Sequence, residues 1–159
     1  MLKPLKPKAP RRSGGTFAIV AAKYNGRYVD AMLNAAQKEL NRAGAKEVEV
    51  IRVPGSFEIP AVAAKLAQSH LPPLSAIICL GVIFQGETSH AQHIAWGVTH
   101  ALAQLQLQHK IPIVHGVFIF ENEEQARVRC LGKSHNRGIE AAGTALEMAR
   151  VMAEVERCT

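Results

Sequence analysis

The chain has 159 residues, 48% hydrophobic and 20% charged, which suits one soluble globular domain with a core large enough to fold unaided. Nineteen Lys and Arg against thirteen Asp and Glu give +6, but Lys3, Lys6, Lys8, Arg11 and Arg12 put +5 into the first twelve residues. The other 147 residues hold fourteen basic and thirteen acidic groups, so the domain is nearly neutral and offers no folded basic face for nucleic acid.

Pro4, Pro7 and Pro10 keep that opening from running as a helix, and residues 1–15 read as an extended basic arm ahead of a single domain over residues 16–159. Four short runs rich in Val, Ile and Ala, at residues 17–22, 48–53, 76–83 and 113–120, read as buried strands. Helical patterns lie between and after them, over residues 28–43, 58–69, 90–108, 123–131 and 138–156. The first has apolar positions at Val29, Met32, Leu33, Ala36 and Leu40 and stops at Gly44. The third carries Ile94, Ala95, Val98, Ala101, Leu102 and Leu105 on one face and no Asp, Glu, Lys or Arg. Strands alternating with helices predict an α/β protein, a three-layer α/β/α sandwich with a mainly parallel four-stranded central sheet of the flavodoxin-like kind.

Two stretches without Asp, Glu, Lys or Arg, at residues 66–86 and 88–109, are long enough to cross a bilayer, but Pro72 and Pro73 break one and four His with four Gln interrupt the other. No membrane role is expected. Cys79, Cys130 and Cys158 are odd in number and unclustered, which argues against a disulfide framework or a zinc site, and a reducing cytoplasm fits best. No signal peptide is visible.

In an open parallel sheet ligands gather beyond the carboxyl ends of the strands. The loops there are Lys23-Tyr24-Asn25, Pro54-Gly55-Ser56-Phe57-Glu58, Gln85-Gly86-Glu87-Thr88-Ser89-His90 and Glu121-Asn122. In the third loop Gly86 stands between a strand and a helix start, an arrangement that aims backbone N–H groups at an anion. Glu87 occupies the place of the lysine that a nucleoside triphosphate loop needs, so a monophosphate fits better. On local grounds an ordinary strand-to-helix turn with Thr88 or Ser89 as N-cap is the competing reading. His90 opens the helix, where neighbouring N–H groups favour a neutral imidazole suited to proton transfer. His93 and His100 lack a carboxylate or cysteine spaced to complete a metal site, and no metal is expected.

Taken in order, these loops resemble the lumazine synthase family of riboflavin biosynthesis. Lys23-Tyr24-Asn25 is similar to its aromatic-Asn after the first strand, Val53-Pro54-Gly55-Ser56-Phe57-Glu58-Ile59-Pro60 to its VPGAxEIP, and Gly86-Glu87-Thr88-Ser89-His90 to its GETxH. Glu124-Gln125-Ala126 followed by Arg129, then Asn136-Arg137-Gly138 and Ala145-Leu146-Glu147-Met148, match its C-terminal pattern, so the likeness spans about residues 16–155.

The resemblance implies condensation of 5-amino-6-ribitylaminouracil with 3,4-dihydroxy-2-butanone 4-phosphate, with loss of phosphate and water and without metal or organic cofactor. It implies that Tyr24 stacks on the pyrimidine and that Ser56, Phe57 and Glu58 face the uracil edge and ribityl hydroxyls. Val82, Ile83 and Phe84 then lie beneath, Glu87 and Thr88 supply amides to the phosphate, and His90 moves protons. His115 and Arg129 come from a neighbouring subunit, so the resemblance implies a homo-oligomer of at least a pentamer, with riboflavin synthase as an associated enzyme. The sequence departs from the family pattern at Gln85, usually Arg or Lys, at His115, usually aromatic, and at Ile119-Phe120, Ser134-His135 and Arg137. Two rival readings are a diverged flavin-binding or shell-forming homologue with little turnover, and an RNA-binding protein that uses the arm.

Overall fold

A computed structural model describes residues 14–159; the expected basic arm lies outside that range except for Gly14 and Gly15. The elements run β1 (Thr16–Ala22), α1 (Gly26–Arg42), β2 (Glu47–Val53), a 3-10 turn (Ser56–Glu58), α2 (Ile59–Ser69), β3 (Ala76–Phe84), α3 (His90–His109), β4 (Ile113–Phe120), α4 (Glu123–Cys130) and α5 (Arg137–Cys158). The strands pair in the order β2-β1-β3-β4, and every pair is parallel. The sheet expected to be mainly parallel is wholly so.

Alternate residues of the central strands feed two separate cores. Phe17, Ile19, Ala21, Ile78 and Leu80 pack with Met32 and Leu40 of α1, Ala126 and Cys130 of α4, and Ala141, Ala142 and Ala145 of α5. Ala18, Val20, Ile77 and Cys79 pack on the opposite face with Ile59 and Ala63 of α2 and Val98 and Leu102 of α3. Burial on both faces explains why every residue of β1 is buried and why its sequence runs apolar without alternation. β2, an edge strand, is mostly half-buried and accordingly carries Glu47, Glu49 and Arg52.

Asn side chains set the starts of the last two helices. The Asn122 Oδ1 accepts from the Gln125 N–H at 2.9 Å, and the Asn136 Oδ1 accepts from the Gly138 N–H at 2.8 Å. Asn136 is itself buried and donates to the Cys130 carbonyl at 2.6 Å, tying α5 to the end of α4. Burial pushes the Cys79 thiol up to about 12 and the Cys130 thiol up to about 11, so both remain unreactive thiols packed as apolar groups. Among the described residues no helix is long and apolar enough to cross a membrane, and no three His, Cys, Asp or Glu are grouped to hold a metal ion.

Candidate functional site

From β1 the chain crosses to β2 on one side, and from β2 it returns to β3 on the other, so the β1–β3 boundary is the switch point of the sheet. Pairing between these strands ends at Ala21 and Leu80, although β1 continues to Ala22 and β3 to Phe84. Beyond the last pair Asn25 takes a left-handed conformation, φ 56°, and its Nδ2 donates to the Val82 carbonyl at 2.7 Å. The carboxyl edge is thereby left open, with β1 and β3 joined by a side chain where a backbone rung is missing.

The loops after β1 and β2 are built as one unit. The Lys23 N–H donates to the Val53 carbonyl at 2.8 Å and the Tyr24 N–H to the Pro54 carbonyl at 3.0 Å. A Cβ at Gly55 would lie 2.9 Å from both the Glu58 Oε2 and the Tyr24 ring, so this glycine lets the aromatic and the carboxylate converge. The Gly55 N–H also donates to Glu58 Oε2 at 2.8 Å, leaving the other carboxylate oxygen without a partner among the described residues. Ser56 is buried with its hydroxyl against Gly81 of β3, where any side chain would collide with it. Phe57 turns outward, 62% exposed, with its ring edge near Gly97 of α3. Tyr24 is 70% exposed, an aromatic face open to solvent at the rim.

Ile83, Phe84, Gly86, Thr88, His90 and Ala91 line a pocket of about 160 Å³ at the start of α3. Ser89 is the N-cap residue but makes no capping bond; its hydroxyl meets the His93 Nε2 at 3.2 Å, and only a long bond, 3.4 Å, joins the His90 N–H to the Thr88 hydroxyl. The N–H groups of the first turn are therefore available to an anion. Glu87 is exposed beside the pocket. Gln85 braces the loop itself: its Nε2 donates to the carbonyls of Gly86 and Thr88, at 2.8 and 3.1 Å.

Ten of the twelve residues singled out in the sequence thus gather along the carboxyl edge: Tyr24, Ser56, Phe57, Glu58, Val82, Ile83, Phe84, Glu87, Thr88 and His90. Two do not. His115 pairs with Cys79 midway along the sheet, five residues before the end of β4 and hence roughly 16 Å from its carboxyl edge. Its Nε2 lies 2.8 Å from the Thr99 hydroxyl, and desolvation lowers its pKa below the ordinary imidazole value, opposed by a smaller backbone hydrogen bond. His115 lines a different cavity, of about 360 Å³, with Phe118, Arg137 and Glu140 among its other walls. Arg129 sits in the last turn of α4, exposed and without an ion pair among the described residues, whereas neighbouring Arg127 is held by Glu124 at 2.6 Å. Asn25 and Gly55 stood in the sequence as members of the loop motifs, and neither they nor Gly81 was named as a site residue. Only Asn25 carried a local signal, the tolerance of Asn for left-handed backbone.

The model of the family described as 6,7-dimethyl-8-ribityllumazine synthase matches residues 14–153. Two proteins named 6,7-dimethyl-8-ribityllumazine synthase, from Stenotrophomonas maltophilia strains R551-3 and K279a, are each 38% identical over 141 residues, covering 87% of this chain and 90% of their own.

Proposed function

This chain belongs to the 6,7-dimethyl-8-ribityllumazine synthase family, an enzyme of riboflavin biosynthesis, and from that premise we propose that the crevice at the carboxyl edge of β1, β2 and β3 performs the condensation. The observation that carries this assignment is the convergence of Tyr24 and Glu58 on Gly55, on the same edge as the open first turn of α3 and His90. In this reading the Tyr24 ring stacks on the pyrimidine of 5-amino-6-ribitylaminouracil, and Ser56, Phe57 and Glu58 line its polar edge, the unpartnered Glu58 oxygen accepting from a ribityl hydroxyl. Val82, Ile83 and Phe84 form the floor. The phosphate of 3,4-dihydroxy-2-butanone 4-phosphate rests on the amides around Glu87 and Thr88.

Two bonds to the heterocycle must form. The 5-amino nitrogen attacks the ketone carbonyl and a first water leaves as the imine forms; phosphate is then eliminated from the terminal carbon, the hydroxyl-bearing carbon between them becomes a carbonyl, and the ribityl-bearing nitrogen adds to that carbonyl and loses a second water to close the ring. His90, at the mouth of the phosphate pocket, is placed to carry protons between these steps. Holding the two reactants together supplies most of the acceleration.

The site is completed in this proposal by His115 and Arg129 of a neighbouring subunit, because a single chain leaves both outside the crevice. Association has a physical basis in α3, which carries no formal charge and exposes Trp96 and Leu107 on the side away from the core. A pentamer is the smallest assembly the reading calls for, with the protein cytoplasmic and riboflavin synthase, which uses the product, as an associated enzyme. The test is to mix both substrates with purified protein and follow the fluorescent lumazine product against spontaneous condensation. A rate at background with the pyrimidine still bound would favour the diverged, non-catalytic homologue, a reading that the engagement of Gln85 with its own loop keeps open.

A further inference from the structure

Arg52 belongs to the edge strand β2, yet its side chain reaches the mouth of the crevice. The Arg52 Nη2 donates to the Ala22 carbonyl at 2.9 Å and Nη1 to the Asp30 Oδ1 at 2.7 Å. Ala22 lies one residue past the last β1–β3 pair, so its carbonyl is beyond the β1–β3 ladder and takes this side-chain donor. Asp30 stands in the first part of α1, just after the left-handed Asn25. One guanidinium therefore joins the strand exit to the helix entry, the two ends of the loop that carries Tyr24.

The remaining nitrogen tells why the residue is an arginine. Arg52 Nε is buried with no hydrogen-bond partner, and leaving a buried donor of a charged group unmade is costly. An unbranched apolar residue would avoid that cost and pack against the same strand, so what the arginine contributes is the reach of its two Nη groups. Tyr24 needs such support: it is mostly exposed, with its ring edge lying along Gly55.

We infer that Arg52, seated by Asp30, is a positioning residue that fixes the β1–α1 loop and so holds the Tyr24 ring over the heterocyclic substrate. The inference rests on the proposed role of Tyr24 and predicts a defect confined to one of two substrates. Arg52→Met should raise the calorimetric Kd and the KM for 5-amino-6-ribitylaminouracil about tenfold, the worth of one charge-assisted hydrogen bond, and leave the KM for the butanone phosphate within about twofold. Arg52→Lys should recover part of the loss, and Asp30→Asn, at an exposed site that spares the fold, should shift the pyrimidine Kd in the same direction by less. A purely structural role would lower Tm and impair both substrates alike, and that result, or an unchanged pyrimidine Kd in Arg52→Met and Asp30→Asn, overturns the inference. Calorimetry needs no turnover, so wild-type protein that binds the pyrimidine without forming product defeats the proposed activity but leaves the effect of Arg52 readable. Wild-type protein that does not bind the pyrimidine defeats both.

Discussion

His90 and Arg129 divide the proposed chemistry into proton movement and charge. Replacement His90→Ala should slow turnover on the order of 10-fold to 10²-fold, with both KM values little changed because the binding surface remains; an undiminished kcat would remove His90 from the mechanism. Arg129 has no ion pair of its own among the described residues, unlike Arg127, and a free guanidinium is the one to expect on a phosphate. Steady-state kinetics of Arg129→Ala should show a raised KM for the butanone phosphate, reflecting roughly 1.5–3 kcal/mol, and a rise confined to the pyrimidine would contradict the clamp. A third residue works on stability. The His70 ring bonds the Pro72 carbonyl at 2.6 Å and the Glu49 carboxylate at 2.9 Å, and these partners, the carbonyl foremost, raise its pKa against an opposing desolvation. Its folded pKa lies above its unfolded value, so its stabilisation is complete below the ordinary imidazole range and is lost as pH rises through the folded pKa. The Tm difference between wild type and His70→Ala should therefore shrink as pH is raised from about 6 to about 8. A difference that grows over that range would refute the sign.

At the scale of elements, the tightest contact is the crossing of α1 and α5. Gly138 lies so close to the Met32 carbonyl that a Cβ there would collide with the α1 backbone, and backbone cannot rotate aside. Gly138→Ala should destabilise the protein by at least about 1–3 kcal/mol, seen as a lower urea midpoint, because α5 must shift off the core formed by Ala141, Ala142 and Ala145. A midpoint equal to the wild type would show that the crossing relaxes freely. The elements themselves were legible because hydrophobic periodicity directly records burial. The long apolar runs became β1, β3 and β4, and the apolar stripe from Val29 to Leu40 became the buried face of α1. Their ends were less legible. α1 begins at Gly26, two residues before the Tyr28 start expected from the pattern, because the left-handed Asn25 turns the chain straight into the helix. The expected helix start at Glu58 is the end of a 3-10 turn, fixed by the bond between the Glu58 carboxylate and the Gly55 N–H. Arg52 left no mark in the sequence beyond that of a polar residue on an edge strand, since its partners Ala22 and Asp30 are 30 and 22 residues away.

Across the whole molecule, the crevice is open and shallow where one chain supplies it. The loops proposed to bind pyrimidine and phosphate were readable because each is continuous in sequence and follows directly on a strand. That His115 and Arg129 lie outside the crevice of their own chain was not readable from spacing, and the fold explains why: His115 faces Thr99 in mid-sheet and Arg129 ends α4. Neither position is dictated by the loops of the same chain. The uncharged α3, with Trp96 67% exposed and close to the His100 ring, is the surface proposed to meet other copies. Assembly and activity then become one claim, since a site divided between subunits works only when they meet. The measurement that tests it most directly is lumazine fluorescence, followed with both substrates on fractions whose mass is fixed by light scattering. Product formation well above the spontaneous rate, confined to fractions of pentamer size or larger, is the predicted result. Background rates in every fraction would contradict the activity, and full turnover by a monomer would contradict the shared site.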